Sequence, residues 1–277
     1  KETFFKGVFK LPAGHFMTYS NGQLTIEKYW EASFDPVERP LDQIVEEIDT
    51  AVRESVQAHT IADVKVGSFL SSGVDSSYVA SVLRPDKTFT VGFSAENFSE
   101  IDNAAALSKE LGIENVNEVL DPKECFNDFN KIQYMMDEPH SNPSIVPLYF
   151  LSRLARQHVT VVLSGEGADE LFGGYDEYID TPNMKKYKNL PAPAKAVADL
   201  VAKIAPSSKL GGLVKRAKMP VEESFIGQAR IFEESESTSI LKPAYNNAPS
   251  VKDIVTPYYE RFKDQDDVTK KQLLDMN

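Results

Sequence analysis

The chain has little of what several common protein classes require. Only one of its 277 residues is cysteine, which excludes an internal disulfide, and its four histidines show none of the spacing typical of zinc sites. No apolar run approaches the roughly 20 residues of a membrane span, and the N-terminus lacks a signal-peptide pattern. The sequence therefore predicts a cytoplasmic protein.

Acidic residues outnumber basic ones, 42 to 30. The net charge of −12 disfavours partners that need a basic surface, so we expect neither nucleic acid nor a membrane as a partner. One segment differs from the rest, because residues 184–219 carry nine basic residues against one acid. This segment is predicted to be a helical or mobile surface element, and it is where an RNA would dock if one bound.

The first 35 residues have the pattern of short strands. Alternating apolar residues predict strands at 4–9, 14–19 and 24–30, and the Asn21-Gly22 pair is a strong signal for a hairpin turn. A linker containing two prolines follows. An amphipathic helix is predicted next, at residues 41–59.

Strands and helices alternate through the next hundred residues. Predicted strands lie at 64–70, 88–93, 116–120 and 159–163, and predicted helices at 76–84, 99–111, 122–136 and 144–158. This alternation is typical of an α/β fold with a doubly wound parallel sheet. Ligands of such sheets bind at the carboxyl ends of the strands, so the loops there are the candidate site.

A small, hydroxyl-rich loop follows the first of these strands. Residues 71–76 carry little side-chain bulk, so their N–H groups can form an anion nest at a helix start, where Asp75, Ser76 and Ser77 are the expected capping residues. The chain contains no Gly-Lys-Ser/Thr, so the loop is not a Walker loop. Asp75 would repel a polyphosphate unless Mg²⁺ lies between them. The alternative is a serine-rich turn without a ligand.

A second unusual loop, SGEGADELFGGY at 164–175, follows the strand at 159–163. It does not fit the dinucleotide fingerprint, because Glu170 stands where the third glycine is required. It carries three closely spaced carboxylates, on Glu166, Asp169 and Glu170, which repel one another unless a metal or an amine lies among them. The alternative is a solvated acidic turn.

These motifs resemble those of a known family. LSSGVDSS at 70–77 is similar to the loop of the pyrophosphate-loop ATP pyrophosphatases, except that Ser72 replaces the usual first glycine. We expect that this position does not need positive φ and that the hydroxyl adds a phosphate donor. Together with the motif at 164–175, the resemblance narrows to glutamine-hydrolysing asparagine synthetases. The GMP, NAD and argininosuccinate synthetases share only the first motif.

The resemblance implies a fold, a domain division and a set of site residues. Residues 1–35 would be the remnant of a glutaminase domain, and 36–277 an adenine-nucleotide α-hydrolase-like synthetase domain with a helical C-terminal part. A loop at 137–144 would line the acceptor pocket. The implied ligand-binding residues are Leu70, Val91, Gly92, Ser164 and Gly165 for adenosine, Ser71, Ser72, Gly73, Val74, Asp75, Ser76 and Ser77 for pyrophosphate, Asp75 and Asp169 for Mg²⁺, and Glu166 as the catalytic carboxylate.

The implied reaction converts aspartate to asparagine through adenylation by ATP and displacement of AMP by ammonia. The N-terminal cysteine nucleophile of the family's glutaminase domain is absent from this chain, which begins with Lys1, and the chain ends before a lysine that the family supplies near the α-phosphate. We therefore expect a fragment of reduced activity that uses ammonia directly, and a homodimer is allowed. Two alternatives stay open, namely a tRNA-modifying enzyme with the same loop and a non-catalytic nucleotide-binding module.

Overall fold

The computed structural model describes residues 2–93, 100–228, 232 and 234–277. These residues form two compact units. The sheet unit contains Thr3–Val8 and Pro36–Ala168, and the helical unit contains residues 1–2, Phe9–Asp35 and Asp169–Asn277. The predicted division at residue 35 concerns the origin of the N-terminal segment and stays a prediction.

The described part of the chain contains six strands. Their bounds are β1 His15–Ser20, β2 Gln23–Lys28, β3 Val66–Phe69, β4 Lys87–Phe93, β5 Glu114–Leu120 and β6 Val161–Leu163. The first two strands form an antiparallel hairpin in the helical unit, and the other four form one parallel sheet in the order β5-β4-β3-β6. The predicted parallel sheet is therefore confirmed.

The helices are α1 Leu41–Ala58, α2 Val74–Leu83, α3 Ile101–Leu111, α4 Pro122–Met135, α5 Ile145–Ala155, α6 Ala168–Phe172, α7 Pro182–Lys188, α8 Ala192–Ile204, α9 Lys209–Lys218, α10 Val221–Ser224, α11 Glu234–Ile240, α12 Val251–Arg261 and α13 Asp267–Met276. Short 3-10 helices lie at Asp176–Tyr178 and Pro243–Tyr245. The predicted helical C-terminal part is thus confirmed. Among the described residues, no helix is both long and apolar enough to cross a membrane.

Helices cover both faces of the parallel sheet. On one face, Phe89 of β4 is fully buried against Leu154 and Ala155 of α5. On the other, the Thr88 hydroxyl lies 2.9 Å from the hydroxyl of Ser108 in α3, and both residues are buried. Successive residues of one strand therefore pack against helices on opposite faces, as expected for a doubly wound sheet.

The predictions for the N-terminal segment were right about the hairpin and wrong about the strand before it. The turn residue Asn21 has φ 51° and Gly22 has φ 79°, the backbone that a tight Asn-Gly turn requires. Residues 4–9 do not form a strand, because turns occupy their centre and a single antiparallel bridge joins Glu2 to Phe9. Alternation of apolar residues was a false signal there, since only two residues pair.

Element ends differ from the predictions by a few residues. The helix predicted at 76–84 begins at Val74 and the one predicted at 144–158 ends at Ala155. The predicted start of the third helix at Ser99 lies outside the described residues, and the helix begins at Ile101 in the part that is described.

Candidate functional site

The two sequence motifs meet because β3 and β6 are hydrogen-bonded neighbours. Parallel pairing sets Ser68 beside Leu163, so the loops that begin at Leu70 and at Ser164 leave the same edge of the sheet side by side. This is also where the strand order reverses, because β4 and β5 lie on the other side of β3. Ligand sites of parallel sheets occur at such a switch point.

The first loop is held closed by the hydroxyl of Ser76. This oxygen lies 2.8 Å from the Ser71 hydroxyl, accepts the Ser71 N–H at 3.1 Å and donates to the Gly73 carbonyl at 3.3 Å. The Gly73 N–H in turn donates to the Ser71 hydroxyl. Ser72 does not have positive φ, which confirms that no glycine is needed there.

The capping prediction for this helix was wrong, and the correction favours anion binding. Gly73 is the N-cap residue, and no side chain caps the helix. Asp75, Ser76 and Ser77 instead lie inside the first turn, because the helix begins two residues earlier than expected. The N–H groups of Val74, Asp75 and Ser76 donate to none of the described residues. They leave the positive end of the α2 dipole available to an anion.

Gly165 brings the second loop against this helix start. A Cβ added to Gly165 would lie 2.7 Å from the Ser76 nitrogen and 2.8 Å from two atoms of Asp75. Backbone atoms of both loops are therefore in direct contact, and a side chain would separate them. The sequence placed Gly165 at the site, but its role in joining the loops required the tertiary contact.

We expect Gly165→Ala to weaken nucleotide binding at least about tenfold and to destabilise the sheet unit by about 1–3 kcal/mol, the usual cost of overpacking. The reason is that the added methyl group meets backbone, which yields less readily than a side-chain end. Equilibrium dialysis with labelled ATP and urea denaturation measure the two effects. Gly212→Ala is the control, because its Cβ would meet nothing within 4 Å. Unchanged affinity in Gly165→Ala would contradict this contact.

Glu166 lies one residue further along the second loop, with its side chain exposed. Its N–H donates to the Ser164 hydroxyl at 3.5 Å, a long contact, and the following Gly167 has φ 93°. A positive φ turns the chain sharply after Glu166 and suits glycine. The loop thus holds an exposed carboxylate on a turn at the sheet edge.

Asp169 belongs to the helical unit, and its carboxylate lies against Gly174. The Gly174 N–H donates to the Asp169 carbonyl at 2.9 Å. A Cβ on Gly174 would lie 1.9 Å from Oδ1 of Asp169 and 2.9 Å from its Cγ. Gly174 is thus a residue that the sequence reasoning missed, although the Gly173-Gly174 pair after the acidic residues was a visible signal.

The short helix that carries Asp169 is held by hydrogen bonds from Tyr175 and Gln272. The Tyr175 hydroxyl donates to Oε1 of Glu170 at 3.0 Å, and the Gln272 amide donates to the Glu170 carbonyl at 2.9 Å. Burial, and then the bond to Glu170, raise the pKa of Tyr175 above its ordinary value. Glu170 therefore has a supporting contact through Oε1 within the helical unit, while its Oε2 is buried and accepts no hydrogen bond from the described residues.

Asp275 is a half-buried carboxylate of the helical unit. It accepts the Tyr178 hydroxyl at 2.6 Å and the Gln228 N–H at 3.2 Å, yet burial raises its pKa above the ordinary 3.8. The folded state then holds the proton more tightly than the unfolded chain. Its contribution to stability is complete below pH 3.8 and is lost as the pH rises through the raised pKa.

We therefore expect Asp275→Asn to lose less stability than the parent as the pH rises. The variant should gain stability relative to the parent as the pH is raised from about 4 to about 7, because an amide carries no charge to bury. Urea denaturation across this range measures the difference. Asp264→Asn, a change at an exposed position, is the control and should show no such trend. A stability difference that does not change with pH would contradict the assignment.

Two of the predicted adenosine residues have side chains in the core. Leu70 packs with Ala80 and Ala104, and Val91 packs against the α5 side of the sheet. Leu70 and Val91 could therefore contact a nucleotide only through their backbone atoms. The third residue, Gly92, is buried in strand β4. The predicted acceptor loop at 137–144 is an exposed loop of the same unit.

Mg²⁺ usually binds through one or two carboxylates and through substrate phosphates, so a dedicated protein cage is not expected. The described residues contain no group of three or more His, Cys, Asp or Glu side chains arranged to hold a metal ion. Asp75 is exposed at the uncapped helix start, where its carboxylate fits a cation carried by a phosphate. Asp169 lies in the other unit, so the pairing of the two carboxylates stays a prediction.

Comparisons with known proteins agree with the two motifs. The family model of asparagine synthase matches residues 47–277. The chain is 40% identical over 271 residues to the glutamine-hydrolysing asparagine synthetase 1 of Bacillus subtilis, covering 96% of this chain and 43% of that protein. It is 36% identical to a putative glutamine-hydrolysing asparagine synthetase of Mycobacterium tuberculosis, covering 99% of this chain and 44% of that protein. It thus spans less than half the length of these relatives. The chain belongs to the asparagine synthase family.

Proposed function

We propose that this chain carries the ATP-dependent amidation of aspartate to asparagine, in the cytoplasm. The observation that carries the proposal is the contact between the uncapped start of α2 and the loop after β6, at the switch point of the sheet. Family membership supports it, because the relatives that match are named asparagine synthetases. A carbon–nitrogen ligase of this kind has two chemical steps.

In the first step the side-chain carboxylate of aspartate attacks the α-phosphorus of ATP, which forms β-aspartyl-AMP and releases pyrophosphate. The N–H groups of Val74, Asp75 and Ser76 and the hydroxyls of Ser71 and Ser72 would hold the departing pyrophosphate. Donors that are already oriented stabilise developing negative charge, each typically by a few kcal/mol. The loop hydrogen bonds of Ser76 support such an arrangement, since they fix the loop before any ligand arrives.

In the second step ammonia attacks the activated carbonyl carbon, a proton is lost and AMP leaves. Glu166 is proposed as the group that accepts this proton, because it is an exposed carboxylate on the turn beside the phosphate loop. The matching relatives are described as glutamine-hydrolysing. Ammonia is the direct nucleophile in our proposal, whatever its source.

Mg²⁺ belongs to the proposal as the ion carried by ATP, held by Asp75 and Asp169. Bound there, it would neutralise negative charge on the phosphates, which carboxylates alone would repel. Any side chain at position 174 would collide with the Asp169 carboxylate, and Gly174 leaves that space free. This supports a defined position for the carboxylate.

The other two interpretations receive less support. A tRNA-modifying enzyme is not favoured by family membership. A non-catalytic nucleotide-binding module would share the phosphate loop but would need no carboxylate at Glu166. Substrate dependence separates the three.

The test incubates the purified chain with ATP, Mg²⁺, aspartate and ammonium, and measures asparagine and pyrophosphate. We expect both products in equal amounts, with neither formed when aspartate is omitted. Pyrophosphate release that depends on tRNA would support the tRNA-modifying alternative. ATP binding without either product would support the non-catalytic module. The AMP formed serves as an internal check, because it must match the pyrophosphate.

A further inference from the structure

Helix α6 carries Asp169, a proposed Mg²⁺ ligand, on a very short element. It contains only five residues, Ala168–Phe172, and so makes little more than one turn. A helix of this length is not stable by itself, because forming the first turn fixes several residues for one hydrogen bond. The position of Asp169 therefore depends on contacts made by the rest of the helical unit.

Two glycines close the C-terminal end of α6. Gly173 has φ 69°, the left-handed backbone that commonly ends a helix. The Gly174 N–H then donates to the Asp169 carbonyl at 2.9 Å, which is the longer of the two bonds of a Schellman ending. The residue whose carboxylate is proposed to bind Mg²⁺ thus accepts a backbone hydrogen bond from the turn that closes its own helix.

Gln272 of α13 caps the same end from a distant part of the chain. Its side-chain Nε2 donates to the Glu170 carbonyl at 2.9 Å and to the Leu171 carbonyl at 3.2 Å. Both carbonyls lie in the last turn of α6, where a helix leaves its carbonyls without intrahelical partners. The amide also lies beside Gly173, because a Cβ added there would be 3.6 Å from the same nitrogen. One side chain therefore holds the end of α6 at adjacent residues.

Helix α13 is itself firmly held within the helical unit. Leu273, next to Gln272, is 1% exposed. Asp266 caps the helix by accepting two N–H groups of its first turn. Lys271 donates to the Glu177 carbonyl at 2.8 Å. These contacts fix the rotation of α13, so the Gln272 amide is presented to α6 by a rigid support.

We propose that Gln272 is a positioning residue for Mg²⁺ binding, which holds Asp169 in place by capping α6. The inference rests on the proposed function, in which Asp169 is a ligand of the ion. Groups that orient a metal ligand without touching the metal typically contribute 10- to 100-fold to metal affinity. Without the Gln272 amide, two carbonyls of the last turn would lose their donor and the turn at Gly174 would loosen. The Asp169 carboxylate would then sample several orientations.

A general stabilising role for Gln272 is the alternative, and Gln265 offers a matched control. The Gln265 amide also donates to a backbone carbonyl of the helical unit, that of Phe34, at 3.2 Å. Gln265→Met therefore removes the same kind of bond, with the same change of side chain, away from α6. If Gln272 only stabilised the fold, methionine at either position would have the same effect on the Mg²⁺ requirement.

The test measures ATP binding to the complete chain by equilibrium dialysis while the Mg²⁺ concentration is varied. For Gln272→Met we expect the Mg²⁺ concentration at half-maximal binding to rise at least about tenfold, with ATP affinity at saturating Mg²⁺ within about twofold of the parent. Gln265→Met should leave this concentration unchanged. Gln272→Lys should restore it to within about threefold of the parent, because an ammonium can donate to the same carbonyls and is favourable at a helix C-terminus.

Hydrogen exchange of the Gly174 amide is a second readout, and it needs no metal. Because this N–H bonds the Asp169 carbonyl, its exchange in the ligand-free protein should be at least about tenfold faster in Gln272→Met than in the parent. It should be unchanged in Gln265→Met. Gln272→Asn, whose amide ends one carbon short of the carbonyls, carries both measurements if Gln272→Met does not fold.

The proposal is overturned if Asp169→Asn raises the Mg²⁺ requirement and Gln272→Met does not, or if Gln272→Met and Gln265→Met raise it equally. Exchange of the Gly174 amide at the parent rate in Gln272→Met also overturns it. If Asp169→Asn leaves the Mg²⁺ requirement unchanged, the metal assignment of the proposed function is wrong and the positioning role fails with it. Faster exchange at Gly174 in Gln272→Met would in that case identify Gln272 as a structural cap only.

Discussion

Glu166→Gln is expected to retain ATP binding while the rate of asparagine formation falls about 10²- to 10⁴-fold, the usual contribution of a general base. The amide keeps the size of the side chain but cannot take a proton from ammonia. Because Glu166 is exposed on a turn and supports no core contact, folding should be unaffected. The rate is followed as asparagine formed from aspartate and ammonium, and the affinity by equilibrium dialysis with ATP.

The control for this variant is Glu110→Gln, which removes an exposed carboxylate at the end of α3. It should change neither quantity. If Glu166→Gln instead loses ATP affinity and product formation to the same degree, Glu166 binds the metal or the nucleotide, and the base must be another group. If the variant keeps full activity, the turn at Glu166 has no chemical role.

Asp75→Asn should remove most Mg²⁺-dependent ATP binding, with an increase in Kd of at least about 100-fold, because a neutral amide is a much weaker ligand for a hard cation. The side chain is exposed in the first turn of α2 and has no role in the core. Binding should therefore fall far more than the free energy of unfolding. Titration of ATP affinity against Mg²⁺ concentration, with thermal unfolding of the apo protein, measures both.

Asp63→Asn is the matched control, since Asp63 is an exposed carboxylate in the loop before β3. Asp169→Asn is expected to behave like Asp75→Asn if the two carboxylates share one ion. Parent-like affinity and Mg²⁺ dependence in Asp75→Asn would show that the metal assignment is wrong. A loss in Asp75→Asn alone would leave Asp169 with a structural role beside Gly174.

Asp75→Asn is expected to affect ATP binding, whereas Glu166→Gln is expected to affect the rate of asparagine formation, although the two residues lie in adjacent loops. Asp75 follows β3 and Glu166 follows β6, and the loops touch through Gly165. A change at Gly165 should therefore disturb both, which is why its expected phenotype is mixed.

The sequence by itself determined the α/β class, the hairpin and the parallel sheet, because hydrophobic period and turn residues are local signals. It also determined the family through two short motifs. It did not determine how the loop before α2 is closed. Asp75, Ser76 and Ser77 are typical capping residues, so the pattern suggested a cap. The Ser76 hydroxyl instead bonds back to Ser71, and the helix starts at Val74.

Only the tertiary structure decided which strands are neighbours. Strand β6 lies 95 residues from β3 in sequence, as the Ser68 to Leu163 hydrogen bond shows, and no local signal records that pairing. The need for glycine at Gly165 and Gly174 comes from atoms of other segments. Such outcomes depend on contacts between distant residues, which sequence periodicity does not encode.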